Sequence, residues 1–452
     1  MKKKAFRKSA KALRAPEGFS GFRRAFRALE SSNFRLFFFG QGLSLIGTWM
    51  TRVATGWLVY RLTSSPLLLG AVGFSSQIPI FFLSPFAGVW VDRMDRRRLL
   101  VVTQVLAMIQ SLALAALVFS GKVNMPAIIG LSLFQGVINA FDIPGRQAFL
   151  LQMIKRKDLL QSAIALNSSM VNGARLIGPS LAGFLIALTG EDMCFLADGL
   201  SYLAVIASLL LMRLAPRRKP AKEKNVLKDL AEGWRYVTGF APIRSILLAL
   251  ALTSLAGMPY VALMPVMARS VLHGGPNAMG FLMSSAGFGA LIGALHLAGR
   301  GSVIGLGRVI AVRAGLFGAG LIAFSLSRWL PLSMLCLTVA GYGMMQLMAA
   351  SNTILQTIAD EDKRGRVMSY FSMSLLGTAP FGSLTAGVLA DHFGAPEVIA
   401  VGGGACLCAG AWFGLRLSRL RPLVRPIYER LGILPVLEGT REAVILKDGM
   451  GR

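Results

Sequence analysis

The stretch VDRMDRRRLL, residues 91–100, carries six charged side chains among the seven residues from Asp92 to Arg98. Two apolar runs flank it, FFLSPFAGVW (81–90) and VVTQVLAMIQSLALAALVF (101–119). An apolar run of about 20 residues is long enough to cross a bilayer as a helix. The pattern therefore predicts a charged loop at the membrane surface between two membrane-spanning helices.

Similar apolar runs recur along most of the 452-residue chain, which is 54% hydrophobic and only 15% charged. A soluble protein of average composition is about 25% charged. We therefore predict an all-α, multi-pass membrane protein with twelve transmembrane helices. Its net charge of +27 then indicates basic loops facing anionic lipid, and no nucleic-acid partner.

Lys and Arg are distributed very unequally among the loops. With the N-terminus inside, 42 of the 48 fall in the inner loops and tails, four at outer loops or helix ends, and two, Arg52 and Arg175, within spans. Because positive loops stay on the cytoplasmic side, we predict a cell (inner) membrane protein with both termini cytoplasmic.

The longest polar break, residues 213–243, divides the spans six and six. Its VLKDLAEGWRYV stretch (226–237) has the spacing of a helix lying along the membrane surface. The predicted organisation is a basic N-terminal tail (1–33), a six-helix bundle (34–212), a cytoplasmic linker (213–243), a second six-helix bundle (244–420) and a cytoplasmic tail (421–452).

The two halves of the chain resemble each other at a nearly constant offset. The offset is 210 residues for Pro66/Pro276 and Gly70/Gly280, and 204 residues for Gly178/Gly382 and Gly183/Gly387. Such an ordered series predicts two parallel bundles related by a pseudo-two-fold axis along the membrane normal. A central cavity between them can open to alternate sides by rocking, and one copy of the chain is sufficient for transport.

The charged loop and the fifth span carry recognisable motifs. GVWVDRMDRRRL (88–99) resembles motif A of the major facilitator superfamily at Gly88, Asp92, Arg93, Arg96 and Arg97, although Asp95 stands where that family usually has Gly. NGARLIGPSLAG (172–183) resembles motif C, a Gly-Pro signature associated with antiporters, at Gly173, Gly178, Pro179 and Gly183. With NFRLFFFGQGLSLIGTWM (33–50), the chain is similar to the enterobactin-exporter and macrolide-efflux-like branch over roughly residues 33 to 420.

This resemblance implies a role for the charged loop as a latch. In the family, Asp92 would meet the start of span 11, and Arg96 would reach Asp142, close to Arg146, at the inner end of span 4. That network would hold the outward-facing state and break when the protein opens inward. The alternative is a positive-inside anchor, which would need the arginines but not the aspartate.

Ionisable groups at membrane depth are costly and are usually functional. Arg175 in span 5 and Arg52 in span 1 are candidates to bind an anionic or catechol-like substrate. Asp198 in span 6 is a candidate proton carrier or, alternatively, a helix-end hydrogen-bond partner, and Asp142 is a second candidate carrier. Gln41 and Asn139 either line the cavity or pack helices together. Drug/proton antiporters often carry an acid in span 1, and this chain has none there.

The predicted function is secondary active, proton-coupled export of a small organic molecule, siderophore-like or drug-like. The sequence has no GxxxxGK[ST] pattern for ATP hydrolysis and no nucleophile–base set at membrane depth, so we predict no enzyme activity, cofactor or metal. The expected partners are the substrate, protons and membrane lipids. Four alternatives stay open: a multidrug efflux pump with broad apolar specificity, an importer, a lipid flippase and a non-transporting membrane partner.

Overall fold

The computed structural model describes residues 26–154, 159–213, 226–300, 302–361 and 363–435. Within these ranges it leaves the side chains of residues 84, 85, 88, 89, 92, 93, 151, 161 and 226–230 undescribed. All regular secondary structure in this part of the chain is helical. The predicted all-α architecture is therefore confirmed.

The first bundle is built from six long helices. They are α1 (Ser32–Thr63), α2 (Pro66–Arg93), α3 (Arg96–Phe119), α4 (Met125–Met153), α5 (Leu160–Thr189) and α6 (Glu191–Leu211). The short loops between them supply N-caps. The Asp95 carboxylate accepts from the Arg98 backbone N–H (3.1 Å), and the Asn124 side chain accepts from that of Ala127 (3.0 Å). These caps explain why α3 and α4 begin where they do.

The second half repeats this pattern with more irregular helices. A surface helix α7 (Val226–Gly239) precedes α8 (Ala241–Gly257), α9 (Pro276–Ala298), α10 (Leu306–Leu326), α11 (Leu330–Ile358), α12 (Arg364–Ser372), α13 (Ala379–Phe393) and α14 (Ala395–Arg430). Span 7 is α8 with the turns that follow it, and span 11 is α12 and α13 joined by the π-helical turn Met373–Gly377. The helix predicted at 226–237 is present as α7, and its Glu232 pairs with Arg366 of α12 at 2.9 Å.

Two predicted spans differ from the structure. Span 7, expected as one helix over Ile246–Arg269, ends as an α-helix at Gly257, because Pro259 and Pro265 lack the backbone N–H that continuation needs. Span 12, expected to end at Leu417, runs on to Arg430 through Pro422 and Pro426. Eleven described helical segments are long and apolar enough to cross a membrane. The first helix, α1, is not one of these eleven, because its Gly, Gln, Ser and Thr residues lower its hydropathy. At 32 residues α1 is still long enough to cross a membrane, so a count of twelve spans includes it by its length alone.

The two bundles touch at two glycine crossings. A Cβ atom at Gly70 of α2 would lie 2.5 Å from the Ser383 carbonyl oxygen and 2.9 Å from Gly387 Cα of α13. A Cβ atom at Gly280 of α9 would lie 2.5 Å from the Pro179 carbonyl oxygen and 3.2 Å from Gly183 Cα of α5. Only glycine permits such close backbone approach between membrane helices.

These crossings are equivalent positions of the internal repeat. Gly70 and Gly280 are 210 residues apart, while Gly183 and Gly387 are 204 apart, as are Pro179 and Ser383. Tyr60 and Ser270, again 210 apart, hydrogen-bond to each other through their hydroxyls at 2.7 Å. Two equivalent residues can touch only close to the axis that relates them. The repeat read from the sequence is thus a pseudo-two-fold axis in the structure.

The contacts between bundles are concentrated toward one end of the molecule. Ser180 and Ser284 share a hydrogen bond (2.7 Å), and Phe381 packs on Phe74 and Phe81 with ring centroids 5.9 and 5.8 Å apart. All these contacts lie away from the side that carries the basic loops 2–3, 4–5 and 6–7, called the basic side below. In the described part of the chain, α4 and α5 do not pack against α11 and α12. Toward the basic side, the described contacts between the two halves are made by α2, which touches α7 and the Met373–Gly377 turn.

We predict that Gly183→Val loosens the closed end, because its side chain would meet the Pro276 carbonyl oxygen 2.8 Å from the Cβ position. Labelling of a Ser284→Cys reporter by a membrane-impermeant thiol reagent should increase. Gly173→Val is the matched control, since a Cβ at Gly173 of the same helix meets nothing within 4 Å. Equal labelling in the two variants would contradict the role of the crossing.

Candidate functional site

Two arginines converge on one indole between the bundles. The guanidinium carbon of Arg52 lies 4.6 Å from the centroid of the Trp49 ring, and that of Arg175 lies 5.2 Å from the same centroid. Trp49 and Arg52 belong to α1, whereas Arg175 belongs to α5. A guanidinium over an indole face is held by the ring quadrupole. The structure therefore brings together two of the charged residues singled out in the sequence.

The face of α1 that carries this pair points toward the second bundle. Trp49, Arg52, Gly56 and Tyr60 follow one another at helical spacing. A Cβ atom at Gly56 would lie 3.4 Å from Met279 and Pro265 atoms, and Tyr60 reaches Ser270. Arg52 is exposed and Arg175 is half-buried. Because both sit beside these interbundle contacts, their exposed surface opens into the space between the bundles.

Both arginines lie at the same depth. Arg52 is eight residues before Tyr60, and Arg175 is eight residues before Gly183. Eight residues of helix rise about 12 Å. Each guanidinium is thus attached roughly two turns from a closing contact, on its basic side. Both guanidiniums therefore lie near the end at which these contacts close the space between the bundles.

Neither guanidinium is neutralised by the protein. Within the described residues, Arg52 and Arg175 make no hydrogen bond or ion pair, and the buried Nε of Arg175 has no acceptor. Tyr260, from the turn that follows α8 in the second bundle, packs against the same hydrophobic cluster as Trp49. Its ring packs edge-on against Phe317, with centroids 6.2 Å apart. The site is therefore cationic, aromatic and shared between the bundles.

Gly178 of motif C positions the indole. A Cβ atom there would lie 2.5 Å from the Trp49 Cβ and 2.9 Å from the Ile46 carbonyl oxygen. The glycine lets α1 approach α5 closely enough for Arg175 to reach the Trp49 ring. Gly183 serves the crossing with α9, and Pro179 contributes the carbonyl that faces Gly280. Gly173 has open space beside it, so of the three motif C glycines Gly178 and Gly183 are the two at close helix contacts.

Asp198 is buried within the first bundle, with 1% of its surface exposed. Its Oδ2 accepts from the hydroxyls of Thr51 (2.8 Å) and Ser111 (3.1 Å), whereas its Oδ1 has no partner in the described part of the chain. Asp198 therefore hydrogen-bonds to side chains of α1 and α3. The alternative role predicted from the sequence was a hydrogen bond at a helix end. Thr51 adjoins Arg52, which connects this carboxyl to the helix that carries the cationic site.

Asp142 is also buried and has a cation beside it. Its Oδ2 lies 2.7 Å from Arg146 Nε, one turn along α4. Its Oδ1 accepts from Gln104 (2.8 Å) and from Thr103 (3.1 Å), both on α3. The carboxyl therefore joins α4 to α3 inside the first bundle. The Arg96–Asp142 pair expected from the resemblance is not formed among these contacts.

Comparison with known proteins decides the family. The model of the transmembrane secretion effector family, a branch of the major facilitator superfamily, matches residues 24–424. This chain belongs to that family. It is a multi-pass membrane transporter and not an enzyme, and it has the fold that the motifs predicted.

Two relatives illustrate the family. The transporter is 26% identical over 378 residues to the staphyloferrin A transporter of Staphylococcus aureus (strain NCTC 8325 / PS 47), an alignment that covers 83% of this chain and 94% of that one. It is 25% identical over 404 residues to the multidrug efflux pump Tap of Mycobacterium tuberculosis (strain ATCC 25618 / H37Rv), with 86% and 94% covered. A solved POT family transporter in complex with 5-aminolevulinic acid has the same fold, with a TM-score of 0.69 at 13% identity, over 86% of this chain and 96% of that one.

The motif A loop of the transporter is anchored to its own bundle. Arg97 donates to the Leu210 and Met212 carbonyls at the end of α6, where helix carbonyls lack intrahelical partners. Arg96 donates to the Ala148 carbonyl of α4 at 3.0 Å. Asp95 caps α3 through Arg98, which explains why this position carries an acid. The side chains of Asp92 and Arg93, and the surroundings of Gly88, lie outside the described residues.

The remaining candidate polar residues differ in exposure. Gln41 in α1 is only 3% exposed. Asn139 in α4 is half-buried and its Oδ1 accepts from Gln135 Nε2 at 3.3 Å.

Sequence analysis did not single out Trp49 and Tyr260. Trp49 had a usable signal, because it stands three residues before Arg52 and so shares a helix face with it.

We predict that Asp142→Asn destabilises the transporter. Hydrogen bonds to a charged group contribute about 1.5–3 kcal/mol each, and the variant would weaken those that Gln104, Thr103 and Arg146 make with Asp142. The midpoint of thermal unfolding in detergent should fall by several degrees, which intrinsic fluorescence can follow. Asp391→Asn is the control, because Asp391 is exposed and accepts one long hydrogen bond from Ser65 (3.4 Å). An equal midpoint in both variants would refute the structural role of Asp142.

Proposed function

We propose that this transporter is a secondary active exporter that expels a small organic molecule in exchange for protons, by alternating access between two six-helix bundles. The observation that carries the proposal is the pair of pseudo-equivalent glycine crossings that join the two bundles at one end. Repeat-related bundles joined at such a contact can rock to expose a central site to either side. Efflux as the direction is supported by the multidrug efflux pump Tap among its relatives.

The proposed orientation places the basic side in the cytoplasm of a cell whose inner membrane holds the protein, with both termini on that side. Its support is the excess of Lys and Arg in these loops. In that orientation the described conformation faces inward, with residues 34–212 and 244–420 as the moving bodies and 213–243 as the linker. The closed end, from Tyr60–Ser270 to Ser180–Ser284, then faces outward.

The motif A loop is proposed to act as a latch in the outward-facing state. The backbone N–H groups at the start of α12 have no intrahelical acceptors, and an aspartate such as Asp92 can accept from them. Arg96 and Arg97 also donate to carbonyls of the first bundle. These contacts hold the arginines of the loop beside α4 and α6. A positive-inside anchor would require the arginines but leave Asp92 replaceable.

Asp198 is the proposed proton carrier. It is buried, no cation pairs with it among the described residues, and one of its oxygens has no hydrogen-bond partner. A carboxyl in such a site can exchange a proton, because its charged form is poorly compensated. Its bond to Thr51 would transmit the change to α1 and Arg52. Asp142 is the weaker candidate, since Arg146 already compensates its charge.

The test uses everted membrane vesicles energised by respiration, with a pH-quenched dye that reports the proton gradient. A panel of carboxylate and catechol siderophores, macrolides and cationic dyes is added to vesicles with wild-type protein, Asp92→Asn, Asp198→Asn or the exposed control Asp391→Asn. We expect one chemical class to dissipate the gradient with wild type and the control, and both other variants to lose the response.

Other outcomes distinguish the alternatives. Dissipation by apolar cations of unrelated shapes would favour a multidrug pump of broad specificity. A substrate response that survives in Asp92→Asn would contradict the latch, and one that survives in Asp198→Asn would contradict the carrier. Absence of any response, with folded protein present, would contradict proton antiport of these compounds and leave import, lipid movement or a non-transporting role.

A further inference from the structure

We propose that the Arg52–Trp49–Arg175 cluster binds the carboxylate of an organic anion and that Tyr260 contacts the same ligand from the second bundle. This inference deepens the proposed function and rests on it, because it names the chemical class of the transported molecule. It is argued from the charge, depth and accessibility of the cluster.

The charge of the cluster is uncompensated. Two guanidiniums lie 4.6 and 5.2 Å from one ring centroid and therefore repel each other. Neither has an acidic or hydrogen-bonding partner among the described side chains. Placing unpaired charge at membrane depth is unfavourable, and such charges usually mark a binding site or an ion path. An anion bound beside the two arginines would offset the repulsion and supply the missing acceptors.

The donor geometry favours a carboxylate over other acceptors. A guanidinium presents a planar fork of N–H groups that matches the two oxygens of a carboxylate. Two such forks at one site can hold one carboxylate from both sides or two carboxylates of one molecule. The Tyr260 phenol is a further donor, and its ring with Phe317 offers an apolar surface to the rest of the ligand.

The position of the cluster means that a bound ligand would contact both bundles. Arg52 and Arg175 belong to the first bundle, and Tyr260 belongs to the second. The backbone of Arg175 also abuts α9, since a Cβ at Gly287 would lie 2.8 Å from the Arg175 carbonyl oxygen. A ligand held by all three side chains would therefore bridge the bundles at the closed end of the cavity. Its arrival from the basic side would favour the bundles drawing together there.

A purely structural reading is that the two arginines only fasten α1 to α5 through Trp49. Cation–π contacts contribute about 0.5–2 kcal/mol, and the Gly178–Trp49 crossing already joins these helices. In that reading the two positive charges would still favour iodide over caesium, but a carboxylate would not protect Trp49 any better than its neutral counterpart. Selective protection by carboxylates is the property that separates the two readings, and fluorescence of Trp49 can report it.

The experiment quenches tryptophan fluorescence of the purified full-length transporter in detergent, without a membrane gradient. The probes are iodide, caesium and neutral acrylamide at constant ionic strength. The signal of Trp49 is the difference between wild type and Trp49→Phe. We expect iodide to quench Trp49 several-fold more strongly than caesium. Benzoate and citrate should protect Trp49 from iodide, whereas benzamide, the neutral counterpart of benzoate, should not.

Variants connect this selectivity to the arginines. Arg52→Gln and Arg175→Gln should each weaken protection by benzoate and citrate about tenfold to a hundredfold, the value of a charge-assisted hydrogen bond. Arg52→Lys and Arg175→Lys keep the charge and should retain the preference for iodide. Arg313→Gln is the matched control, because Arg313 also lies over an aromatic ring, that of Tyr342 (4.9 Å), but in the second bundle.

Several results would overturn the proposal. They are equal quenching of Trp49 by iodide and caesium, failure of both carboxylates to protect at millimolar concentration, protection by benzamide equal to that by benzoate, and unchanged protection in folded Gln variants. The lysine variants keep the test valid if a glutamine variant does not fold. Because no gradient is used, failure of proton-coupled export in vesicles would leave anion binding intact, and failure of anion binding would leave export intact.

Discussion

The close approach of backbones at the two glycine crossings constrains the rest of the structure. At Gly70 and Gly280 a single added carbon would lie 2.5 Å from a carbonyl oxygen of the opposite bundle. Such contact allows dispersion between whole backbones, which is what holds helices together where lipid removes the hydrophobic driving force. Because the crossings are related by the internal repeat, they close one end of the molecule symmetrically. The other end is then free to separate.

One helix links this closed end to the candidate binding site. Along α5, Gly183 meets α9 of the second bundle, Gly178 meets Trp49 of α1, and Arg175 reaches the Trp49 ring. Arg175 and the crossing at Gly183 are about 12 Å apart along α5. A movement at the crossing therefore changes the surroundings of the arginines. Asp198 is connected to the same place through Thr51, the neighbour of Arg52. Seal, site and buried acid are thus parts of one packed unit.

The fold could be predicted from sequence because its causes are local and periodic. Apolar runs, basic loops and the ordered Gly and Pro matches indicated the spans and the repeat. The interruption of span 7 has a local signal in Pro259 and Pro265, whereas the extension of span 12 to Arg430 passes through two prolines and depends on packing that those patterns do not encode. At the site, Arg52 and Arg175 were identified as ionisable residues at depth, but their convergence on Trp49 was not. That convergence depends on the Gly178 crossing between α1 and α5, which are distant in sequence. The approach of Tyr260 likewise depends on helices that are distant in sequence.

The most direct test of alternating access about the crossings is a pair of distance measurements by electron paramagnetic resonance in the same preparation. One pair of spin labels is placed on the basic side, at Ser168 of α5 and Ser372 of α12, and the other at the far ends, at Thr189 and Phe393. Both pairs join positions 204 residues apart. When substrate and a proton gradient are supplied, the basic-side distance should shorten while the far-side distance lengthens. Distances that change in the same direction, or a far-side pair that stays fixed while substrate is transported, would contradict rocking about the glycine crossings.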